Sequence, residues 1–281
     1  GIPEFRLNKD VVRREVKKIA KLGVQFQNNV MVGPDITVDT MFGQGFDAIF
    51  IGSGTALPRT LDIPGNELSG VLQATYFLRT VQLANAGQVA DEEVLLHKGD
   101  KVVIIGAGNV AMDAARTALR LGASEVTVTF LRVEADITAL RSEYEDAINE
   151  GVKFRWLTKP YEFIGEHKVE AMAYADLEIA ADGSLRETGT VGTIPADVVV
   201  LAIGQKPAAR IVSTTRGIEV GDNGYVITRE RPYGMTTRAG VFAGGDVVHE
   251  PATVVLAMRE AKKVAQGMAE YVRAKKLLES C

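Results

Sequence analysis

The chain has 281 residues, of which 46% are hydrophobic, 24% charged and 6% aromatic, and its 32 basic and 36 acidic residues give a net charge of −4. This composition is typical of a globular protein long enough for two cores, and it excludes a disordered, collagen-like or disulfide-stapled chain. The charge is too evenly balanced to attract nucleic acid or an anionic membrane, so we expect neither as a partner.

The cysteine and histidine content limits the metal and redox chemistry of the chain. The only cysteine is Cys281, the last residue, which excludes internal disulfides and a cysteine-ligated metal centre within this chain. The three histidines, His97, His167 and His249, lack metal-ligand spacing, so we predict no metal site. Because no apolar run approaches the roughly 18 residues of a membrane helix and no signal peptide is visible, we expect a cytoplasmic location.

The first elements in chain order are a helix and two short strands. Apolar residues at helical spacing predict an amphipathic helix over 9–22, with Asn8 as its N-cap and Gly23 as its end. The alternation at 24–27 predicts a short strand, and the apolar run at 48–51 predicts a strand buried on both faces. We expect these two strands to lie in one sheet.

A strand–helix–strand unit is predicted between 101 and 130. Residues 101–105 (KVVII) have the pattern of a buried strand that runs into Gly106-x-Gly108-x-x-Ala111. Helical spacing continues to 121, and 125–130 alternates as a second strand. The other predicted elements are helices around 74–85 and 142–149, strands around 152–156, 169–174, 177–179, 197–204 and 240–243, and a closing helix over 252–278.

The glycine turn of this unit predicts dinucleotide binding. Gly106 allows the chain to bend sharply after the strand, and Gly108 lets the backbone approach a pyrophosphate. Free N–H groups and the dipole at the helix N-terminus then attract the phosphates. A glycine-rich turn without a ligand is the alternative interpretation, which the flanking strand and helix disfavour.

Arg132 lies near the end of the second strand of the unit. An acid in this zone would bind the ribose 2′-hydroxyl of NAD, whereas a basic residue would bind the 2′-phosphate of NADP. The nearest acid, Glu134, comes two residues later. The arrangement favours NADPH, with NADH as the alternative and a solvated surface arginine as the interpretation without a ligand.

Two further glycine-rich turns follow predicted strands. Prolines interrupt the sequence after Gly52 and Gly54 before a helix can form, so we interpret this turn either as a close backbone approach to a cofactor or neighbouring domain or as a plain turn. Asp246, after Gly244-Gly245, is suited to accept hydrogen bonds from ribitol or ribose hydroxyls, and the following helix N-terminus is suited to stabilise charge on a reduced flavin. Gly-Asp is also common in simple turns, and both interpretations stay open.

No catalytic side chain is predicted. The sequence has no Gly-x-Ser-x-Gly elbow and no lysine-bearing P-loop. Hydride transfer between nicotinamide and flavin needs no protein acid, base or nucleophile, because the cofactors carry the chemistry. The lack of such residues is therefore compatible with an oxidoreductase.

Five segments together carry a family resemblance. In chain order they are 1–7 (GIPEFRL), 50–54 (FIGSG), 106–113 (GAGNVAMD), 202–205 (AIGQ) and 240–246 (GVFAGGD). They resemble the small (beta) subunit of NADPH-dependent glutamate synthase and its relatives, in the same order and over nearly the whole chain. The chain resembles the C-terminal portion of such a protein, lacking the N-terminal iron–sulfur region and the first FAD-binding motif.

The resemblance implies an α/β fold of the two-dinucleotide-binding-domain flavoprotein type. In this plan a Rossmann-like NAD(P) domain is inserted in an FAD-type domain, which is truncated here. We therefore expect 1–96 to form the first part of an incomplete FAD-type domain, 97–204 the NAD(P)H-binding domain, and 205–281 the second part of the FAD-type domain.

The resemblance also implies roles for individual residues. Those with an implied cofactor-binding role are Gly106, Gly108, Asn109, Val110, Ala111, Arg132, Gly204, Gly245, Asp246, Ala252 and Thr253. Asp246 would contact the ribityl or pyrophosphate region of FAD, and Ala252 and Thr253 would offer backbone N–H groups to its isoalloxazine. The sequence departs from the family pattern at Leu131, where an arginine is usual, and at Ile137 and Thr138, where Met-Pro is usual.

The implied function is that of an oxidoreductase subunit that passes electrons from NADPH to FAD and on to the iron–sulfur clusters of a partner. The partner would be a larger subunit like the glutamate synthase alpha subunit, or a ferredoxin-type acceptor. One rival hypothesis is a nucleotide-binding module without turnover, because the FAD fingerprint is missing. Another is a flavin-free dehydrogenase, which would need a proton-transfer residue that the sequence does not offer.

Overall fold

A computed structural model describes residues 1–207 and 215–280 of the chain. These residues form two compact units: the first contains 1–23 and 60–204, and the second contains the described residues of 24–59 and 205–281. Each unit has its own sheets and its own core, and each is described separately below.

The bounds of the described helices and strands follow in chain order. The helices are α1 (Lys9–Lys21), α2 (Val38–Gly43), α3 (Ala74–Asn85), α4 (Asn109–Arg120), α5 (Arg141–Asn149) and α6 (Val254–Glu279). The strands are β1 (Ile49–Ile51), β2 (Thr55–Pro58), β3 (Val71–Gln73), β4 (Lys101–Ile105), β5 (Glu125–Thr129), β6 (Lys153–Arg155), β7 (Thr158–Ile164), β8 (Ala171–Ile179), β9 (Leu185–Pro195), β10 (Val198–Leu201), β11 (Gln205–Pro207), β12 (Thr228–Glu230), β13 (Tyr233–Thr236) and β14 (Val241–Ala243).

A five-stranded parallel sheet organises the first unit. Its strand order is β3-β10-β4-β5-β6, and every neighbouring pair in it is parallel. The predicted unit of β4, α4 and β5 is confirmed at its centre. Because parallel strands end at the same edge, the turn after β4 lies beside the ends of β10 and β5.

The packing of α4 on this sheet depends on small side chains. Ala111, Ala114, Ala115 and Ala118 are fully buried, so the helix axis lies close to the strands. The core that they share also contains α3, with Phe77 and Leu78, and the inward side chains of the sheet. This tight contact fixes the position of the helix N-terminus relative to the end of β4.

A three-stranded antiparallel sheet in the order β7-β8-β9 completes the first unit. The sequence predicted two strand patterns here, at 169–174 and 177–179, whereas the structure has one strand, β8. Its pairing with β9 shifts register between Ala175 and Leu177, and this bulge interrupts the alternation that the sequence shows.

The segment before α1 is fixed to α4 and α5 by ion pairs. Arg6 contacts Asp113 at 2.9 Å and Glu143 at 3.2 Å, and the ring of Phe5 lies 4.0 Å from the guanidinium carbon of Arg120. Asp113 is only 5% exposed. Burial raises the pKa of the Asp113 carboxyl above its usual value, although the hydrogen bond and charge of Arg6 oppose the change.

The second unit contains a four-stranded sheet in the order β1-β14-β13-β12. β1 and β14 are parallel, and β2 pairs separately with β11. The prediction that β1 is buried on both faces is wrong, because the ring of Phe50 lies along Gly52 and remains 43% exposed.

The strand predicted at 24–27 is also wrong. Residues 24–28 have no regular secondary structure, and Val24 and Phe26 are 47% and 55% exposed. An alternating pattern forms a strand only where a neighbouring strand takes up its backbone hydrogen bonds. No described strand pairs with this segment, so it does not join β1 in a sheet.

The closing helix α6 is confirmed and packs on β13. Val264 and Gly267 are its buried residues. A Cβ on Gly267 would lie 2.4 Å from the carbonyl oxygen of Tyr233, so glycine is required for this close approach. Val255 and Met258, placed together on one face by their spacing, are 73% and 59% exposed.

The two compact units differ from the domain boundaries expected from the sequence. Residues 60–96 contribute β3 and α3 to the parallel sheet and its core, and 1–23 also belong to that unit. The expected boundaries were 1–96, 97–204 and 205–281. The units describe packing, and the assignment of domains to cofactors stays a prediction.

The raised pKa of Asp113 predicts a specific pH dependence of stability. A folded-state pKa above the unfolded value contributes stability at low pH that is lost as the pH rises through the folded pKa. The free energy of unfolding of the wild type, relative to that of Asp113→Asn, should therefore fall as the pH rises above about 4. Urea denaturation of both proteins over a series of pH values measures the difference.

Arg6 supplies the control for this experiment. Arg6→Gln removes the cation that favours the charged carboxylate, so it should steepen the same pH dependence and cost about 3 kcal/mol at neutral pH. If the free energy of unfolding of the wild type, relative to that of Asp113→Asn, stays constant or rises with pH, the role assigned to burial is contradicted.

Candidate functional site

The turn after β4 is shaped by a close contact at Gly106. Its φ is +119°, and a Cβ on this residue would lie 2.4 Å from the carbonyl oxygen of Ala202, just after β10. Its amide donates to the carbonyl oxygen of Thr129 at 2.9 Å. Only glycine meets both the conformational and the steric requirement, so Gly106 is explained by the fold alone.

Gly108 has a different environment. It is the N-cap of α4, has no side-chain cap, and adopts φ −91° and ψ 178°, which any residue can adopt. Outside the adjoining chain and helix backbone, the one described atom within 4 Å of a Cβ at this position would be Oγ1 of Thr138, at 3.4 Å. Packing therefore does not require glycine here, and the space above Gly108 is open.

The amides beside Gly108 are available to a ligand. Within the described residues, the N–H groups of Asn109 and Val110 donate to no acceptor, whereas those of Ala111 and Met112 donate to the carbonyl oxygen of Gly108. Free amides at a helix N-terminus, next to a space that a Cβ would fill, form a cradle for an anionic group. The residues present fit a pyrophosphate.

The other two predicted residues of the turn have different surroundings. Ala111 is fully buried, whereas Val110 is 41% exposed. Ala111 thus packs the helix onto the sheet, which is the part that the third position of this motif plays. Val110 can reach a ligand through its amide.

The side chain of Asn109 is occupied by a protein contact. Its Oδ1 accepts a hydrogen bond from the amide of Leu140 at 2.9 Å, and the amide of Ala139 donates to the carbonyl oxygen of Ala107 at 3.2 Å. These two bonds join the segment after β5 to the glycine turn. The sequence did not indicate this role of Asn109, because its partner is 31 residues away.

Arg132 lies at the start of that segment and is exposed. Its side chain contacts no acid among the described residues, and its carbonyl oxygen accepts from the amide of Leu157 at 3.2 Å. Glu134, the nearest acid in sequence, contacts Arg141 at 3.3 Å. Glu134 also accepts a hydrogen bond from the hydroxyl of Tyr144. Burial of this hydroxyl, and after it the hydrogen bond to Glu134, raises the pKa of Tyr144. The arginine is free for a ligand, whereas the acid already has protein partners.

Gly204 lies at the same edge of the sheet as the glycine turn. It follows β10, is exposed and has a φ of +96°. β10 is the neighbour of β4 in the sheet. The first unit therefore brings together Gly204, Arg132 and the five residues of the turn discussed above.

The remaining predicted residues belong to the second unit. Gly245 begins a short 3₁₀ turn after β14, and its amide donates to Oε2 of Glu260 at 2.9 Å. Oε1 of the same carboxylate is 2.7 Å from Nε2 of His249. Asp246 is half-buried and has no hydrogen-bond partner among the described residues.

A cavity of about 230 Å³ lies beside this turn, lined by residues that include Asp246, Ala252 and Leu256. Thr253 caps α6 by accepting from the amide of Leu256 at 3.3 Å, so its side chain serves the helix. Whole-ligand pockets are usually about 300–1,000 Å³. The unpartnered Asp246 carboxylate fits a hydroxyl-bearing group, and the volume fits part of a flavin nucleotide.

Two residues near these sites were not predicted. Glu260 holds the turn at Gly245 from 15 residues away, and no local pattern indicates such a pairing. Thr138 faces Gly108 and appeared in the sequence only as a departure from a family pattern. Among the described residues no His, Cys, Asp and Glu side chains cluster as a metal site would need, and no helix has the length and apolarity to cross a bilayer.

The family model for pyridine nucleotide-disulphide oxidoreductases matches residues 5–261. The glutamate synthase [NADPH] small chains of Escherichia coli K12 and Halomonas elongata are 32% and 33% identical to this chain, and each match covers 97% of it. The beta subunit of the NADP(+)-dependent formate dehydrogenase of Moorella thermoacetica is 34% identical over 97% of the chain. The chain spans 60%, 59% and 38% of these three relatives.

Solved structures show the same fold. The structure of FprA from Mycobacterium tuberculosis in complex with NADPH has a TM-score of 0.76 at 19% identity, covering 100% of this chain and 76% of FprA. Thioredoxin reductase from Lactococcus lactis has a TM-score of 0.62 at 24% identity, covering 81% of this chain and 66% of that protein. The flavoprotein type of α/β fold expected from the sequence is thereby confirmed.

The two glycines of the turn should respond differently to substitution by alanine. Gly106→Ala places a Cβ against the Ala202 carbonyl at positive φ and should lower the free energy of unfolding by about 3 kcal/mol. Gly108→Ala should cost no more than about 1 kcal/mol, because its conformation is ordinary and its surroundings are open. Urea unfolding of the two variants measures this contrast, and equal losses would contradict it.

Proposed function

Because the chain belongs to the pyridine nucleotide-disulphide oxidoreductase family, we propose that its first unit binds NADPH, which would serve as the hydride donor for a flavin. Members of this family bind FAD and a pyridine nucleotide. The observation that carries the proposal is the open space above Gly108, bordered by the amides of Asn109 and Val110, which donate to no acceptor in the described part of the chain. A pyrophosphate in this space would receive backbone hydrogen bonds at the positive end of the α4 dipole.

The preference for NADPH over NADH rests on the two charged side chains after β5. Arg132 has no acidic partner among the described residues, so its guanidinium can pair with a 2′-phosphate. Glu134 would have to leave Arg141 in order to accept a ribose 2′-hydroxyl. Both features favour the phosphorylated nucleotide, and the NADPH named for the glutamate synthase relatives agrees with this choice.

For the second unit, we propose contacts to the flavin from Gly245, Asp246, Ala252 and Thr253. Asp246 would accept hydrogen bonds from ribityl hydroxyls, and the start of α6 would place its dipole near the ring. A flavin held by these residues would supply the redox chemistry, in which hydride acceptance is coupled to single-electron transfer. The protein residues named here bind and orient, and none of them transfers a proton.

The electron acceptor is proposed from the relatives. Their names place them as a small chain of glutamate synthase and a beta subunit of formate dehydrogenase, and on this basis we propose a larger electron-accepting subunit with iron–sulfur clusters, or a ferredoxin-type acceptor. We propose a cytoplasmic location for the complex. A nucleotide-binding module without turnover is the second candidate, favoured by the small volume of the cavity beside Asp246.

A substitution of Arg132 tests the nucleotide preference. Arg132→Gln should weaken NADPH binding about 30-fold, equivalent to about 2 kcal/mol, because a charge-assisted bond to the 2′-phosphate is lost. NADH lacks that phosphate, so its affinity should change less than about twofold. Titration followed by the fluorescence of Trp156, the single tryptophan, or by calorimetry measures both nucleotides.

Arg14 on α1 offers a matched control for charge. It is exposed and makes no ion pair among the described residues, so Arg14→Gln should leave both affinities unchanged. Equal weakening of NADPH and NADH by Arg132→Gln would argue against a 2′-phosphate contact. A wild-type chain that binds neither nucleotide below millimolar concentration would overturn the proposed function.

Addition of FAD separates the enzyme from the module. If the chain turns over, FAD should support NADPH-dependent reduction of a dye, and Asp246→Asn should raise the FAD concentration needed for half the effect by about tenfold. The Asn variant keeps the size of the side chain but not the charge that strengthens its bonds to hydroxyls. A colourless wild type that reduces no dye with FAD present would instead favour the module.

A further inference from the structure

We infer that the hydroxyl of Thr138 donates a hydrogen bond to the pyrophosphate of the bound nucleotide, and that Asn109 positions it. The inference rests on the proposed nucleotide site and adds a side-chain ligand to it. Oγ1 of Thr138 lies 3.4 Å from the point that a Cβ on Gly108 would occupy. Thr138 is exposed and has no hydrogen-bond partner among the described residues.

The location of the hydroxyl follows from the reason for glycine at position 108. Glycine stands at the second position of such a turn so that the backbone can approach the pyrophosphate, and a Cβ there would fill the required space. An oxygen atom next to that virtual Cβ therefore borders the phosphate. Hydrogen bonds between oxygens span about 2.7 Å, which this arrangement permits without moving the backbone.

The backbone that carries this hydroxyl is also held in place before a ligand arrives. The two residues after Thr138 are hydrogen-bonded to the glycine turn: the Ala139 amide to the Ala107 carbonyl at 3.2 Å, and the Leu140 amide to Oδ1 of Asn109 at 2.9 Å. Asn109 is thus a positioning residue, because its side chain holds the backbone next to Thr138. Such prior ordering reduces the entropy lost on binding.

The charge of the turn explains why another donor matters. Residues 106–113 contain no lysine or arginine, and the one acid among them, Asp113, is paired with Arg6. The pyrophosphate would otherwise depend on backbone amides and the helix dipole. A neutral hydroxyl bonded to an ionised phosphate forms one of the stronger types of hydrogen bond.

Substitutions of Thr138 test the inference in the full chain. Thr138→Val keeps the shape of the side chain and removes the donor, so it should weaken NADPH and NADH about tenfold and equally, because both carry the pyrophosphate. Thr138→Ser keeps the donor and should stay within about threefold of the wild type. Thr193→Val, at an exposed site on β9, is the control and should change neither affinity.

The role of Asn109 is tested by a double-mutant cycle. If Asn109 acts through Thr138, Asn109→Ala should weaken both nucleotides in the wild type but have little further effect in Thr138→Val. A structural loss at Asn109 would instead add fully to the loss at Thr138. Additive effects would therefore overturn the positioning role.

Three outcomes decide the inference as a whole. The inference is supported if Thr138→Val weakens the binding of NADPH and of NADH by the same factor and Thr138→Ser restores both affinities. Unchanged or tighter binding by Thr138→Val overturns it and leaves the nucleotide site itself standing. If the wild type binds neither NADPH nor NADH, the proposed function fails, and this inference fails with it.

Discussion

The geometry of the proposed nucleotide site depends on the close contact between Gly106 and the carbonyl of Ala202. β4 and β10 are parallel neighbours, so the chain that leaves β4 must turn within the space beside the end of β10. A Cβ would lie 2.4 Å from the Ala202 oxygen, which leaves glycine as the residue that fits. Because the turn is this tight, α4 begins shortly after the strand ends, and its free amides lie at the carboxyl edge of the sheet.

Local chemistry explains which parts of the fold could be predicted. A buried strand, a glycine turn and a helix with apolar spacing specify each other over about 30 residues, and the structure confirms β4, α4 and β5 together. The strand expected at 24–27 had an equally regular pattern but no partner strand. Alternation describes the residues of one strand, whereas a sheet needs the hydrogen bonds of two. Predictions at isolated strands are therefore weaker than those for a complete supersecondary unit.

The same distinction applies to the candidate sites. Gly106 and Gly108 are recognised from sequence because their task is set by the residues next to them. The contacts of Glu260 with Gly245 and of Arg6 with Asp113 join positions 15 and 107 residues apart. Nothing in either local sequence indicates the partner, since both pairings exist only after the helices have packed. The environment of Asp113, and hence its raised pKa, is a property of the tertiary structure.

In the proposed nucleotide site, the backbone and the side chains would have different tasks. Backbone amides would hold the pyrophosphate, and every residue except proline supplies an amide, so this part of the site tolerates much change in side chains. Under the proposal, discrimination between nucleotides would fall to the segment after β5, where the side chain of Arg132 is exposed and its backbone is fixed by a hydrogen bond from Leu157. Relatives at 32% and 34% identity are named as subunits of a glutamate synthase and of a formate dehydrogenase. Their different names fit a common fold that serves in different enzymes.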